Sequence, residues 1–151
     1  MKNKVHLICN AHLDPVWQWR WTEGCSEALA TFRNAVDILT EYPELIFNHN
    51  EAILYQWTQK YDAGLFHEIR ELVNQKRWFI AGGWFLQPDL NLPPRENLIR
   101  HIRFGRDYFK SEFGAEPKVA YNFDSFGHPA GLPQLLRDFG YELYIHQRPE
   151  K

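Results

Sequence analysis

Short apolar runs alternate with stretches of helical periodicity along this chain, and the alternation predicts its architecture. Val5 to Asn10 is brief and rich in strand formers, which predicts a first strand buried on both faces. Thr22 then offers an N-cap, and Cys25, Leu29, Phe32, Val36 and Leu39 recur at helical spacing until Tyr42-Pro43 stops the helix. Leu45-Ile46-Phe47 predicts a second strand that ends in Asn48-His49-Asn50-Glu51. Asn50 is placed to cap a helix with Ile53, Leu54 and Trp57 on its apolar side, and a further helix carries Leu65, Ile69, Leu72 and Val73. Trp78 to Ala81 reads as a third strand closed by Gly82-Gly83, and the prolines and asparagine between Trp84 and Pro94 forbid regular structure. Pro93-Pro94 starts a helix in which Leu98, Ile102, Gly105 and Phe109 share a face, and Gly114 ends it. Val119-Ala120-Tyr121 is a fourth strand, Leu132 to Phe139 a short helix ended by Gly140, and Glu142 to Ile145 a fifth strand.

Strands alternating with helices imply βα units, because parallel strands need a helical crossover to return. The fold class expected is therefore α/β, with a parallel sheet or barrel-like arrangement of about five strands in one domain spanning residues 1–151. The consequence is positional. His12 and Asp14 follow the first strand, His49 and Glu51 the second, Trp84 and Asp89 the third, Asp124 and His128 the fourth, His146 and Arg148 the fifth. In a parallel sheet these loops open on one side, at the carboxyl ends of the strands, where α/β proteins bind ligands.

Composition narrows the partners. The chain is 44% hydrophobic and 16% aromatic, which is ample for a core. A net charge of −2 with acidic and basic residues interspersed leaves no basic stripe for a phosphate backbone, so no nucleic-acid partner is expected. No apolar run approaches the roughly 20 residues of a membrane-spanning helix, and Met1-Lys2-Asn3-Lys4 leads into too few apolar residues for a signal segment. Cys9, in an apolar strand-like run, and Cys25, on an apolar helix face, read as buried free thiols. Together these readings predict a cytoplasmic protein without a membrane partner.

Two polar knots carry the candidate chemistry. His12 and Asp14 are one residue apart, so an extended backbone projects both side chains the same way, and Pro15 keeps its predecessor out of the helical region. An imidazole and a carboxylate suit zinc, while cobalt or manganese remain compatible. A bare His-x-Asp is a weak motif, and its placement opposite Asp124 is what raises it. Asp124 has three roles open to it: metal ligand, nucleophile toward an electrophilic carbon, or cap of the turn Ser125-Phe126-Gly127. Spacing alone does not choose among them. His128, before Pro129, fits a loop-anchoring hydrogen-bond partner better than a ligand. Trp17 is placed at the ligand, whereas Trp19 and Trp21 are assigned to packing. Asp89 and Asn91 fit either a supporting hydrogen-bond role or loop solvation, and His6, His67 and His101 fall within strand or helix patterns.

These residues, taken together, resemble the amino-terminal part of the retaining α-mannosidases of glycoside hydrolase family 38. The matching segments are His12-Leu13-Asp14-Pro15-Val16-Trp17, Gly82-Gly83-Trp84 with Pro88-Asp89 and Asn91, Glu96 to Arg100, and Asp124-Ser125-Phe126-Gly127-His128. The resemblance covers essentially the whole chain. It implies that His12, Asp14 and Asp124 bind zinc, that Asp124 is also the catalytic nucleophile, and that Trp17 and Phe126 wall the subsite of the mannose that is cleaved. It implies a mannose-containing oligosaccharide as substrate and a seven-stranded β/α barrel related to that of polysaccharide deacetylases. In the family the acid/base aspartate and a second zinc histidine come from far downstream. On that reading the chain looks like a fragment of a longer enzyme, inactive alone.

Two other functions stay open on the residues. A metal-dependent polysaccharide deacetylase would use the same donor types to activate water against an amide carbonyl. A non-catalytic carbohydrate-binding module or scaffold is the other, suggested by the missing second half of the site, and its sugar binding would be indifferent to chelators. An unpaired edge strand and an exposed aromatic rim would also favour a homo-oligomer.

Overall fold

The computed structural model describes residues 3–148, so Met1 and Lys2 of the amino-terminal start lie outside it, as do residues 149–151. Strands and helices alternate as the periodicity requires: β1 (Cys9–Asn10), α1 (Trp21–Glu41), β2 (Phe47–Glu51), α2 (Ala52–Tyr61), α3 (Ala63–Asn74), β3 (Trp78–Trp84), α4 (Arg95–Phe113), β4 (Val119–Asn122), α5 (Leu132–Asp138) and β5 (Leu143–His146). Every strand pairing is parallel. The strands form two sheets, β1-β2-β3 and β4-β5, rather than one. The α/β class with parallel strands holds among the described residues.

The helices follow their apolar spacing closely. In α1, Cys25, Ala28, Phe32, Val36 and Leu39 are buried, and the helix stops at Tyr42, the residue that Pro43 excludes from helical geometry. It begins at Trp21, two residues earlier than a Thr22 cap would place it, with Arg20 extended and supplying no side-chain bond. Asp62 caps α3 by accepting from the Leu65 amide at 2.9 Å. The apolar faces of α1, α2 and α3 meet the first sheet in one core around Phe32, Tyr55, Ile69 and Trp78. A second core joins Trp84, Leu98 and Ile102 to Leu132, Leu135 and Tyr141 of the second sheet's side.

Four expectations are corrected. The second strand is Phe47–Glu51, so the polar run read as a following loop is itself strand and wholly buried, and Asn50 caps nothing. Polarity misleads here because distant partners take part of the run: Asn48 donates to Cys9 O at 2.7 Å and accepts from Asn10, and Glu51 accepts from the Gln87 amide, while both His49 nitrogens and the Asn50 amide nitrogen are buried without a partner. The first strand shrinks to Cys9–Asn10, and Val5, Leu7 and Ile8 are 80%, 89% and 78% exposed instead of buried. Cys9 is exposed, against its expected burial, while Cys25 is a buried free thiol as expected. The cause is that β1 pairs only with β2. Leu7 and Ile8 face an open apolar trough of about 660 Å³ between the two sheets, lined also by Phe79, Tyr121, Leu143 and Ile145.

The third strand runs past Ala81 to Trp84. His49 pairs with Ile80 but Glu51 pairs with Trp84, so two residues of β2 face four of β3. Gly82 and Gly83 absorb the excess at φ of 71° and 75°. This bulge aims the Trp84 side chain inward, where its indole donates to Tyr121 O at 3.0 Å and ties β3 to β4.

Candidate functional site

The loop after β1 is fixed at both ends. Asn10 donates to Asn48 O at 2.9 Å and to the Tyr121 hydroxyl at 2.9 Å, which anchors the strand end to β2 and β4. Beyond it, Pro15 is buried against the start of α1, where a Cβ on Gly24 would lie 2.0 Å from Pro15 O. The Trp19 indole donates to Asp14 O at 3.0 Å. The residue read as packing thus holds the backbone of a site residue. Between these anchors His12 and Asp14 turn the same way, with Nε2 and Oδ1 3.2 Å apart.

Asp124 follows β4 and is held by its neighbours. The Asn122 amide donates to Pro88 O at 2.9 Å, Gln87 Oε1 accepts from the Phe123 amide at 3.3 Å, and Ser125 Oγ accepts from the Leu90 amide at 3.1 Å. Bonds on both sides of Asp124 therefore lead to the loop after β3. Asp124 Oδ2 faces His12 Nε2 at 4.0 Å, and Asp124 Oδ1 meets Arg148 Nε at 3.1 Å. One donor atom each from His12, Asp14 and Asp124 lies within 4.8 Å of the others. The three side chains are 36–39% exposed, so an ion and a substrate could reach them from solvent. One imidazole and two carboxylates are a donor set that suits zinc, and also cobalt or manganese.

The aromatic residues around the cluster are open. Trp17 is 65% and Phe126 64% exposed, with Trp17 edge-on to Trp19 at 5.4 Å. The Arg148 guanidinium lies 4.9 Å from the Phe126 ring centre. His128 anchors this side: its Nδ1 meets the Tyr144 hydroxyl at 2.9 Å and its Nε2 the carbonyl of Arg148. It thereby holds the backbone that delivers Arg148 to Asp124. Asp89 accepts from the Asn91 amide at 3.3 Å inside its own loop, and among the described residues it has no hydrogen bond to His12, Asp14 or Asp124.

Arg148 carried only a positional signal, as a residue following the fifth strand, and its bond to Asp124 could not be read from spacing. Two buried ionisable groups of β2 were likewise unassigned. Burial pushes the Glu51 carboxyl up to about 8, with the Asp14 charge adding to it, while its Oε1 accepts from the Gln87 amide at 2.8 Å. Burial pushes His49 down to about 3, and its ring packs against Phe32 and Phe47 with neither nitrogen bonded. His49 is neutral at pH 7, and burial shifts Glu51 toward its neutral form.

The frame is that of an α/β protein with its polar site at the carboxyl ends of parallel strands. The model of the family described as "Glycosyl hydrolases family 38 N-terminal domain" matches residues 2–150, and the chain belongs to that family. Alpha-mannosidase G of Dictyostelium discoideum is 30% identical over 147 residues, covering 97% of this chain and 14% of that protein. An alpha-mannosidase of Saccharomyces cerevisiae is 27% identical over 145 residues, covering 95% and 13% respectively. The chain thus spans about one seventh of the curated relatives it matches. Among solved structures, an alpha-mannosidase from Enterococcus faecalis V583 superposes with a TM-score of 0.83 at 18% identity, over 92% of this chain and 16% of that one. A 4-alpha-glucanotransferase from Thermococcus litoralis superposes at 0.71 with 24% identity, over 91% and 21%. These two likenesses bear on the fold alone. No helix among the described residues is long and apolar enough to cross a membrane.

Proposed function

We propose that this chain contributes the nucleophile and three metal ligands to a zinc-dependent retaining α-mannosidase acting on mannose-containing oligosaccharides. The observation that carries the proposal is the gathering of His12, Asp14 and Asp124 donor atoms within 4.8 Å, on loops far apart in sequence, in a chain of this family. His12, Asp14 and Asp124 would hold the metal, whose role when bound is to grip sugar hydroxyls and polarise them. Asp124 Oδ2 attacks the anomeric carbon as the bond to the leaving oxygen breaks, and a second carboxyl roughly 5 Å away protonates that oxygen. Water then releases the sugar from the Asp124 ester. Arg148, bonded to Oδ1, orients the carboxylate and supports its negative charge before attack. Trp17 and Phe126 offer their exposed rings to the C–H face of the sugar.

The second carboxyl is assigned to the remainder of a longer enzyme, in keeping with the share of the relatives that the chain spans. The two parallel sheets would then be the first five strands of a seven-stranded β/α barrel. The test is Asp124→Asn in the longer protein that contains this chain. Hydrolysis of an aryl α-mannoside should be lost while zinc is retained, because an asparagine oxygen can still ligate. Unchanged turnover would refute the nucleophile assignment.

A further inference from the structure

We propose that Glu51 is a positioning residue for Asp124, acting through Gln87 of the loop after β3; the proposal rests on the reading of Asp124 as a metal ligand. Glu51 ends β2 and is 3% exposed. Its Oε1 accepts from the Gln87 backbone amide at 2.8 Å. The same residue's side-chain Oε1 accepts from the Phe123 amide at 3.3 Å, immediately before Asp124. Gln87 is therefore held from one side by β2 while it holds the Asp124 backbone on the other.

The neighbouring bonds extend the same arrangement. Pro88 O accepts from Asn122, and the Leu90 amide donates to Ser125, whose hydroxyl in turn donates to Gly127 O at 3.2 Å. The loop thus grips residues 122, 123 and 125, on both sides of Asp124, and Glu51 secures its Gln87 end. Asp124 itself makes no bond to that loop, so the grip acts on its backbone and leaves the carboxylate free for His12's side of the cluster. Burial raises the carboxyl to about 8 and the bond from the Gln87 amide pulls against that rise, since accepting an N–H favours the charged form.

An amide oxygen performs that task as well as a carboxyl oxygen does. Glu51→Gln should therefore behave like the native chain, whereas Glu51→Ala leaves the half-buried Gln87 amide without its acceptor and frees the loop. The probe is Co²⁺, titrated into the chain and followed by its visible absorption, which reports coordination geometry. Outer partners of metal ligands typically change affinity 10–100-fold, and a loss of about 10-fold or more is expected for Glu51→Ala. Gln87→Ala, which keeps its backbone amide but removes the acceptor for Phe123, should produce a similar loss. The double variant should lose no more than either single one, because both changes break the same path.

Additive losses, or native Co²⁺ affinity in Gln87→Ala, would overturn the proposal. So would a Glu51→Gln variant that is impaired as badly as Glu51→Ala. If Glu51→Ala does not fold, Glu51→Gln and Gln87→Ala decide the matter by the same criteria. If the native chain takes up no Co²⁺, its three ligands do not suffice to hold the ion without the remainder of the site. Hydrogen exchange at the Phe123 amide then decides the role of Glu51: faster exchange in Glu51→Ala but not in Glu51→Gln supports it, and unchanged exchange in both overturns it.

Discussion

Replacing Gly105 with alanine should destabilise the chain, although the same change usually favours a helix. Propensity alone predicts a gain of about 1 kcal/mol for α4. Against this, a Cβ at position 105 would lie 2.2 Å from Gly83 O, 2.4 Å from the Trp84 carbonyl carbon and 2.5 Å from the Phe85 nitrogen. All three are backbone atoms of the β3 bulge and its exit, so no side chain can swing aside. Overpacking costs about 1–3 kcal/mol, and immovable neighbours place this case near the upper end. The net expectation is a loss of about 2 kcal/mol. With a urea m-value of about 2 kcal/mol/M, the unfolding midpoint should fall by about 1 M.

Tryptophan fluorescence during urea unfolding measures this directly. Gly64→Ala in α3 is the control, since its nearest neighbour would be Asp62 Oδ1 at 3.5 Å, an ordinary contact. That change should raise stability by roughly 0.5 kcal/mol. A Gly105→Ala midpoint at or above the native one, alongside the expected rise for Gly64→Ala, would show that α4 is not seated on the bulge.

Two other predictions concern buried polar groups. Trp84→Phe removes the indole donor to Tyr121 O in a fully buried position, and should cost about 1–3 kcal/mol in the same assay; a loss below about 0.5 kcal/mol would mean that this bond does not tie β3 to β4. The metal-free chain should also show a stability plateau with two limbs. Glu51 keeps its proton to about pH 8 when folded but ionises near 4.5 when unfolded, so stability falls as pH rises across that window. His49 protonates near 6.5 when unfolded and only near 3 when folded, so stability falls as pH drops across that interval. The opposing slopes place the plateau between about pH 4.5 and 6.5, and Glu51→Gln should flatten the alkaline limb; a limb unaltered by that change would assign it to another group.

The parts of the fold legible in the sequence were those with local causes. Helical spacing of Cys25, Phe32, Val36 and Leu39 needs only the helix's own geometry, and α1 buries those residues. His12 and Asp14 could be placed on one side because a short extended segment sets the direction of alternate side chains, and their 3.2 Å approach follows. What stayed hidden depended on distant partners. Asn48-His49-Asn50-Glu51 looked like a loop because a polar run has no local reason to be a buried strand. Val5, Leu7 and Ile8 looked like a buried strand because apolar character does not reveal whether anything covers it. Arg148 lies 24 positions beyond Asp124 in the chain, and only the return of β5 beside β4 brings the two together.

The same distinction explains how the two polar knots meet. Among the described residues no ladder of backbone bonds joins the β1-β2-β3 sheet to β4-β5, so backbone pairing does not set the separation of the His12 and Asp124 loops. Side chains do it instead. The Asn10 amide donates to the Tyr121 hydroxyl at 2.9 Å, two residues before His12 and three before Asp124. The Trp84 indole meets the Tyr121 carbonyl from the other side, and Tyr121 stacks on Phe123 at 4.5 Å. Tyr121 is thus the meeting point of both sheets, held by hydroxyl, carbonyl and ring at once. Such a bridge fixes direction as well as distance, because each bond tolerates little rotation. The cluster at the strand ends is therefore set by polar residues inside the sheets, which is why a sequence pattern of apolar cores could announce the strands without announcing the site.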